Sequence, residues 1–265
     1  MTFLDVVLIA LIQGLAEVLP LGAAGHLALI PRLMASAEGR AAVVVAADVG
    51  IVAALMAYFW RDLFIMGRSV IKLAKGRVEP GAHLLFQVLL GSIPALVVTW
   101  GFAELGGGGT SRTAAAAALV VFGLFLLAAD GMGVTVRRVE HLGWLGAAII
   151  GILQAAAAIP GVSRTGITIT AARLMGFERQ DAARFSLLLA IPMIAGQACL
   201  IVAQLSRQAP LILSTDLMLT TAFAFVVALL AVAGMMAWLH RHTFAPFALW
   251  RIVLGLGVLA WGLLP

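Results

Sequence analysis

The sequence predicts an all-α membrane protein, with six transmembrane helices and two re-entrant helical hairpins arranged as an inverted repeat. Three observations carry this. Hydrophobic residues make up 63% of the 265 and charged residues only 11%, with a mean hydropathy of +1.11, whereas a soluble domain holds about 45–50% apolar and about 25% charged residues. The apolar runs are about 20 residues long, as a helix needs to cross a bilayer, not the alternating segments of about ten that a β-barrel would show. Two of the runs are broken at membrane depth by proline, glycine and polar residues, and backbone broken there is tolerated only where protein or a water-filled cavity surrounds it.

In chain order, residues 1–31 form the first broken region, interrupted at Pro20-Leu21-Gly22-Ala23-Ala24-Gly25-His26. Spanning segments follow at about 42–60, 84–103 and 113–130. Residues 143–175 form the second broken region, interrupted at Pro160-Gly161-Val162-Ser163-Arg164-Thr165-Gly166. Three more spans lie at about 184–206, 217–239 and 246–264. Length leaves room for a single polytopic domain, 1–265, with halves of about 1–130 and 143–265. Internal echoes are faint. Gln13 precedes Pro20 much as Gln154 precedes Pro160. Phe86–Pro94 resembles Phe185–Pro192, out of register with this scheme.

Net charge is +5, and the charges sit in connecting segments. Segment 61–83 carries Arg61, Arg68, Lys72, Lys75 and Arg77; segment 131–142 carries Arg137 and Arg138; segment 240–245 carries Arg241. The positive-inside rule places these three in the cytoplasm, and so puts loop 104–112 and both termini outside. Each broken region then returns to its starting side, the first entering from outside and the second from the cytoplasm. Nucleic-acid binding is excluded, because no basic patch stands on a soluble domain. One cysteine, Cys199, allows no internal disulfide and no thiolate cluster. The N-terminus lacks the basic region of a signal peptide. The run Gly106–Gly109 reads as a flexible outer linker, since no Gly-Lys-Ser/Thr follows it.

Chemistry concentrates at the breaks. Arg164, between Ser163 and Thr165, brings guanidinium, hydroxyl and backbone donors together, which suits a phosphate. An ionisable group within the membrane is a functional-site candidate. Gln13 and Glu17 are four apart and share one helix face. Glu17 in its apolar run must be neutral, paired or metal-bound. His26 follows the first break; a lone histidine beside an apolar segment is usually structural, but a glutamate, a histidine and a facing arginine together point to chemistry. Asp48 either pairs with Arg164 or lines the cavity, pairing being the simpler expectation. Arg251, within the last span, reads as a second anion contact or a snorkelling side chain.

Gln13-Gly14-Leu15-Ala16-Glu17-Val18-Leu19-Pro20 with Gly25-His26, and Pro160–Gly166, resemble the two signature motifs of the undecaprenyl-diphosphate phosphatases, the bacitracin-resistance type of membrane phosphatase. The similarity runs along the whole chain, including Tyr58-Phe59-Trp60-Arg61 and Phe185–Pro192. It implies a multi-pass protein of the bacterial inner membrane that removes the terminal phosphate of a C55 polyprenyl diphosphate, recycling the lipid carrier of cell-wall synthesis. It also implies a divalent cation, Mg2+ or Ca2+. The chain departs from the family at two places. Gln13 stands where the family usually has Glu. Gly22-Ala23-Ala24 stands where it usually has hydroxyl residues, so no serine on that loop can be the nucleophile.

The expected site is a polar pocket between the hairpin tips, open toward the outer leaflet, with the polyprenyl tail in lipid. Arg164 holds the diphosphate, and Ser163, Thr165, Gly166 and Gly25 complete the cradle. Glu17 holds the metal ion or orients a catalytic group, and His26 acts as nucleophile or general base. Gln13, Asp48 and Arg251 support them. A lipid or anion transporter and a non-catalytic lipid-binding relative stay open as alternatives, as does a homodimer.

Overall fold

The computed structural model describes residues 3–28, 37–104, 111–132, 135–207 and 214–261. Apolar runs become helices because only there can backbone groups bond to one another away from water. In order they are α1 (Phe3–Val18), α2 (Ala23–Ala28), α3 (Ala37–Tyr58), α4 (Trp60–Leu73), α5 (Pro80–Glu104), α6 (Arg112–Met132), α7 (Trp144–Gln154), α8 (Arg164–Leu174), α9 (Arg179–Ser206), α10 (Thr215–Trp238) and α11 (Ala245–Trp261). Among the described residues five helices are long and apolar enough to cross a membrane: Ala41–Tyr58, Pro80–Phe102, Arg112–Met132, Arg179–Ser206 and Thr215–Trp238. The sixth expected span, 246–264, falls on α11, whose described part covers 17 residues. Gly106–Gly109 lies outside the described residues.

Helix α3 packs along α10, and α6 along α11; α1 lies on α10, and α7 on α5. Small residues permit these approaches. A Cβ on Gly50 would stand 2.3 Å from the Thr221 carbonyl oxygen, and one on Gly255 2.7 Å from that of Ala116.

The breaks form where expected. After α1 the chain turns through Pro20 to Gly22, whose φ of +90° favours glycine, and re-enters a helix at Ala23. Beyond α7 it passes a 3₁₀ turn (Ala155–Ala158) and Gly161, at φ +95°, before Ser163 caps α8 by accepting from the Gly166 amide at 3.1 Å. The two ends of the second broken region meet. The amide of Arg137 donates to the Gly176 carbonyl at 2.9 Å, and that of Glu178 to the Arg137 carbonyl at 2.8 Å.

Charges gather at that same end. Arg184 pairs with Asp62 and Glu140, and Arg138 with Glu178. Buried Asp130 takes Arg173 at 3.1 Å and Arg179 at 2.7 Å, while its second oxygen accepts from the Phe244 amide at 2.8 Å. A buried carboxylate with two arginines and an amide on it is fully compensated.

Candidate active site

The two breaks meet inside the helical bundle. Between them lies a cavity of about 180 Å³ whose polar lining includes Gln13, Glu17, Asp48, Gln154, Ser163 and Arg164. The end of α1 supplies Glu17 and the start of α8 supplies Arg164, and these two form an ion pair. Thr165 Oγ1 donates to the Glu17 carbonyl at 2.7 Å, fastening one break to the other. The N-terminus of α8 therefore points its partial positive charge at the cavity beside the guanidinium.

Arg164 is 8% exposed. Its Nη2 is taken by Glu17, while Nε and Nη1 are buried with no hydrogen-bond partner among the described residues. Unmade bonds to a buried guanidinium are costly, so the group is built to receive an acceptor. Ser163 Oγ accepts from Gly166, which leaves its own proton free to donate into the cavity. Gln13 and Gln154 are both buried, and the Oε1 of each lacks a partner among the described residues. Asp48, 7% exposed, lines the same wall. The simpler expectation of an Asp48–Arg164 pair is not met: the partner of Arg164 is Glu17.

Other residues singled out from sequence sit around the cavity instead of on its wall. His26 donates from Nδ1 to the Gly22 carbonyl at 2.8 Å and accepts at Nε2 from Trp250 Nε1 at 2.9 Å, in the tautomer these partners require. Gly25 packs against the second break; a Cβ there would lie 3.1 Å from the Gly161 Cα. The Gly166 amide is spent on Ser163. Arg251 is wholly buried, which rules out snorkelling; Nη2 donates to the Gly161 carbonyl at 3.0 Å and Nη1 to the Pro20 carbonyl at 3.5 Å. It clasps both breaks from behind.

Sequence reasoning missed Thr99 and Gln197, which close the cavity from α5 and α9. A signal existed: each lies five residues after the proline inside its helix, Pro94 or Pro192. Glu17, Asp48 and the glutamines bring side-chain oxygens to the wall, and Mg2+ and Ca2+ take carboxylate and amide oxygens. No group of three or more His, Cys, Asp or Glu gathers among the described residues. Glu17, Asp48 and Gln13 could hold such a cation only with further ligands from outside the protein.

Comparison with known proteins shows the family. The family model described as bacitracin resistance protein BacA matches residues 6–257. The chain is 52% identical over 259 residues to undecaprenyl-diphosphatase 1 of Paramagnetospirillum magneticum, covering 98% of this chain and 97% of that protein. It is 43% identical over 268 residues to undecaprenyl-diphosphatase 1 of Rhodospirillum rubrum, at 98% and 95% coverage. It is 38% identical over 258 residues to undecaprenyl-diphosphatase of Dinoroseobacter shibae, at 96% and 97% coverage. A match of this extent leaves one conclusion: the chain belongs to the BacA family of bacitracin resistance proteins.

Proposed function

We propose that this protein is a polyprenyl-diphosphate phosphatase that hydrolyses undecaprenyl diphosphate to the monophosphate carrier of cell-wall synthesis. The observation that carries the reading is Arg164, buried at the meeting of the two breaks with two N–H groups still to be satisfied. Those groups bind two oxygens of the terminal phosphate in the bidentate manner of a guanidinium. Glu17 holds the guanidinium in place. The Ser163 hydroxyl donates to a third oxygen. As the oxygen of water bonds to the terminal phosphorus, the bridging P–O bond breaks. The negative charge that moves onto the leaving monophosphate is offset by Arg164 and the N-terminus of α8.

A divalent cation would be held by oxygen atoms of this wall beside the Glu17–Arg164 pair, and would supply charge neutralisation for the diphosphate. Gly22 and Ala23 line the cavity without hydroxyls, so the first loop contributes shape and no side-chain donor. His26 positions that loop, through Gly22, against Trp250 of α11.

The protein sits in the bacterial inner membrane with the cavity open to the outer leaflet. It comprises six spans and two re-entrant regions in one polytopic domain, halved at about 1–130 and 143–265. Exchange of helix partners supports the inverted repeat: α1 lies on α10 as α7 lies on α5, and α3 packs on α10 as α9 packs on α5. Backbone bonds joining residue 137 to 176 and 178 support a second region that leaves on the side it entered. The test is phosphate release from C55 or C15 diphosphate by purified protein in detergent with Mg2+ or Ca2+. Release is expected; its absence overturns the reading.

A further inference from the structure

We infer that Asp48, with the amide oxygen of Gln13, is the seat of the divalent cation in this cavity, while Glu17 is given over to holding Arg164. This rests on the phosphatase reading of the same cavity. Charge balance leads to it. Glu17 and Arg164 neutralise one another through their ion pair. Asp48 lines the same space, 7% exposed, and among the described residues no cation pairs with it. The cavity thus offers two unsatisfied guanidinium N–H groups for an anion and, in the same lining, a carboxylate that would repel that anion. A divalent cation held by that carboxylate would offset the repulsion.

A second, independent feature points to the same place. Gln13 is 5% exposed, and its Oε1 is buried on the cavity wall with no donor facing it among the described residues. An amide oxygen left bare is an acceptor awaiting either a donor or a metal ion. Gln13 lies one turn before Glu17 on α1, so both face the same way, and α1 packs directly against α3, which carries Asp48. One carboxylate and one amide oxygen from two packed helices, completed by substrate phosphate and water, is the kind of sparse set on which Mg2+ is held.

The experiment is a Mn2+ titration of the purified full chain in detergent, with a methylene-bridged C15 diphosphonate present, read by loss of the free-ion electron paramagnetic resonance signal. Wild type is expected to bind. Asp48→Asn should weaken binding at least about tenfold, since it removes the only net charge of the seat. Gln13→Glu in the Asp48→Asn background should restore it by returning a carboxylate to the same space. Wild-type Mn2+ affinity in Asp48→Asn overturns the inference, even if phosphate release is lost, because Asp48 would then be handling a proton. Failure of Gln13→Glu to restore binding in a double variant that unfolds at the wild-type temperature overturns it as well. Should Asp48→Asn not yield folded protein, Gln13→Glu alone decides: tighter Mn2+ binding supports the seat, and unchanged affinity removes it. Mn2+ binding without phosphate release in wild type would sink the phosphatase reading and leave the seat standing. Phosphate release with no Mn2+ bound would do the reverse.

Discussion

Arg164 is the residue on which the proposed chemistry turns, and its geometry makes it hard to replace. Lysine keeps the charge but has no planar fork, so it cannot hold Glu17 and two phosphate oxygens at once. Arg164→Lys should lower kcat/KM at least about tenfold, equivalent to about 1.4 kcal/mol of transition-state stabilisation; turnover near wild type would remove Arg164 from the centre of the mechanism. His26 is bound at both ring nitrogens and lies off the cavity wall. Glutamine can keep the bond to the Gly22 carbonyl. His26→Gln is therefore expected to retain at least about a tenth of the activity, since a net hydrogen bond is worth about 0.5–1.5 kcal/mol. Complete loss, with no phosphate detected over hours, would return the imidazole to the reaction itself. Glu17 and Arg164 were legible in sequence because each is a charge where hydrocarbon forbids one. The separate duties of Glu17 and Asp48 were not, because sequence does not say which carboxylate the guanidinium reaches.

At the scale of the helices, contacts between backbones decide stability. Gly50 sits where α3 meets α10; a methyl group there would strike the Thr221 carbonyl at 2.3 Å and the Phe225 amide at 2.9 Å. Backbone cannot rotate aside as a side chain can. Gly50→Ala should therefore cost about 1–3 kcal/mol, the range for overpacking, seen as a lower unfolding temperature in detergent. Gly67, inside α4, has open space where a methyl group would stand, with nothing within 4 Å. Gly67→Ala should instead stabilise by about 0.5–1 kcal/mol, from helix propensity alone. If both variants shift the same way, close packing of α3 on α10 is not what limits stability. Apolar runs and breaks were readable from sequence, since length and hydropathy define them. Rotation was not: a helix that is apolar all round carries no stripe to say which face meets the cavity. Thr99 and Gln197 escaped for that reason, and Asp48 was left between pairing with Arg164 and lining the cavity.

For the molecule as a whole, the ion pairs of Asp62, Glu140, Asp130 and Glu178 lie at the end where arginine and lysine crowd the connecting segments. Orientation is checked by cysteine labelling in a Cys199→Ala background. Arg68→Cys should react only with reagent that reaches the cytoplasm, and a cysteine at position 108 only with reagent applied outside; the opposite pattern would invert the molecule. Topological pairing within the bundle was the least legible feature, because it depends on contacts between helices far apart in the chain. Arg251 joins those distant parts most directly, as α11 reaches back to the carbonyls of Pro20 and Gly161. Its position has a consequence for biosynthesis. A chain leaving the ribosome inserts from its N-terminus, so both breaks enter the membrane well before Arg251 is made. Until α11 arrives the two loops are joined, among the described residues, by the Glu17–Arg164 pair and the Thr165 hydrogen bond alone. A ribosome that stops short of α11 would thus leave an inserted bundle whose loops lack the bonds that Arg251 makes to both.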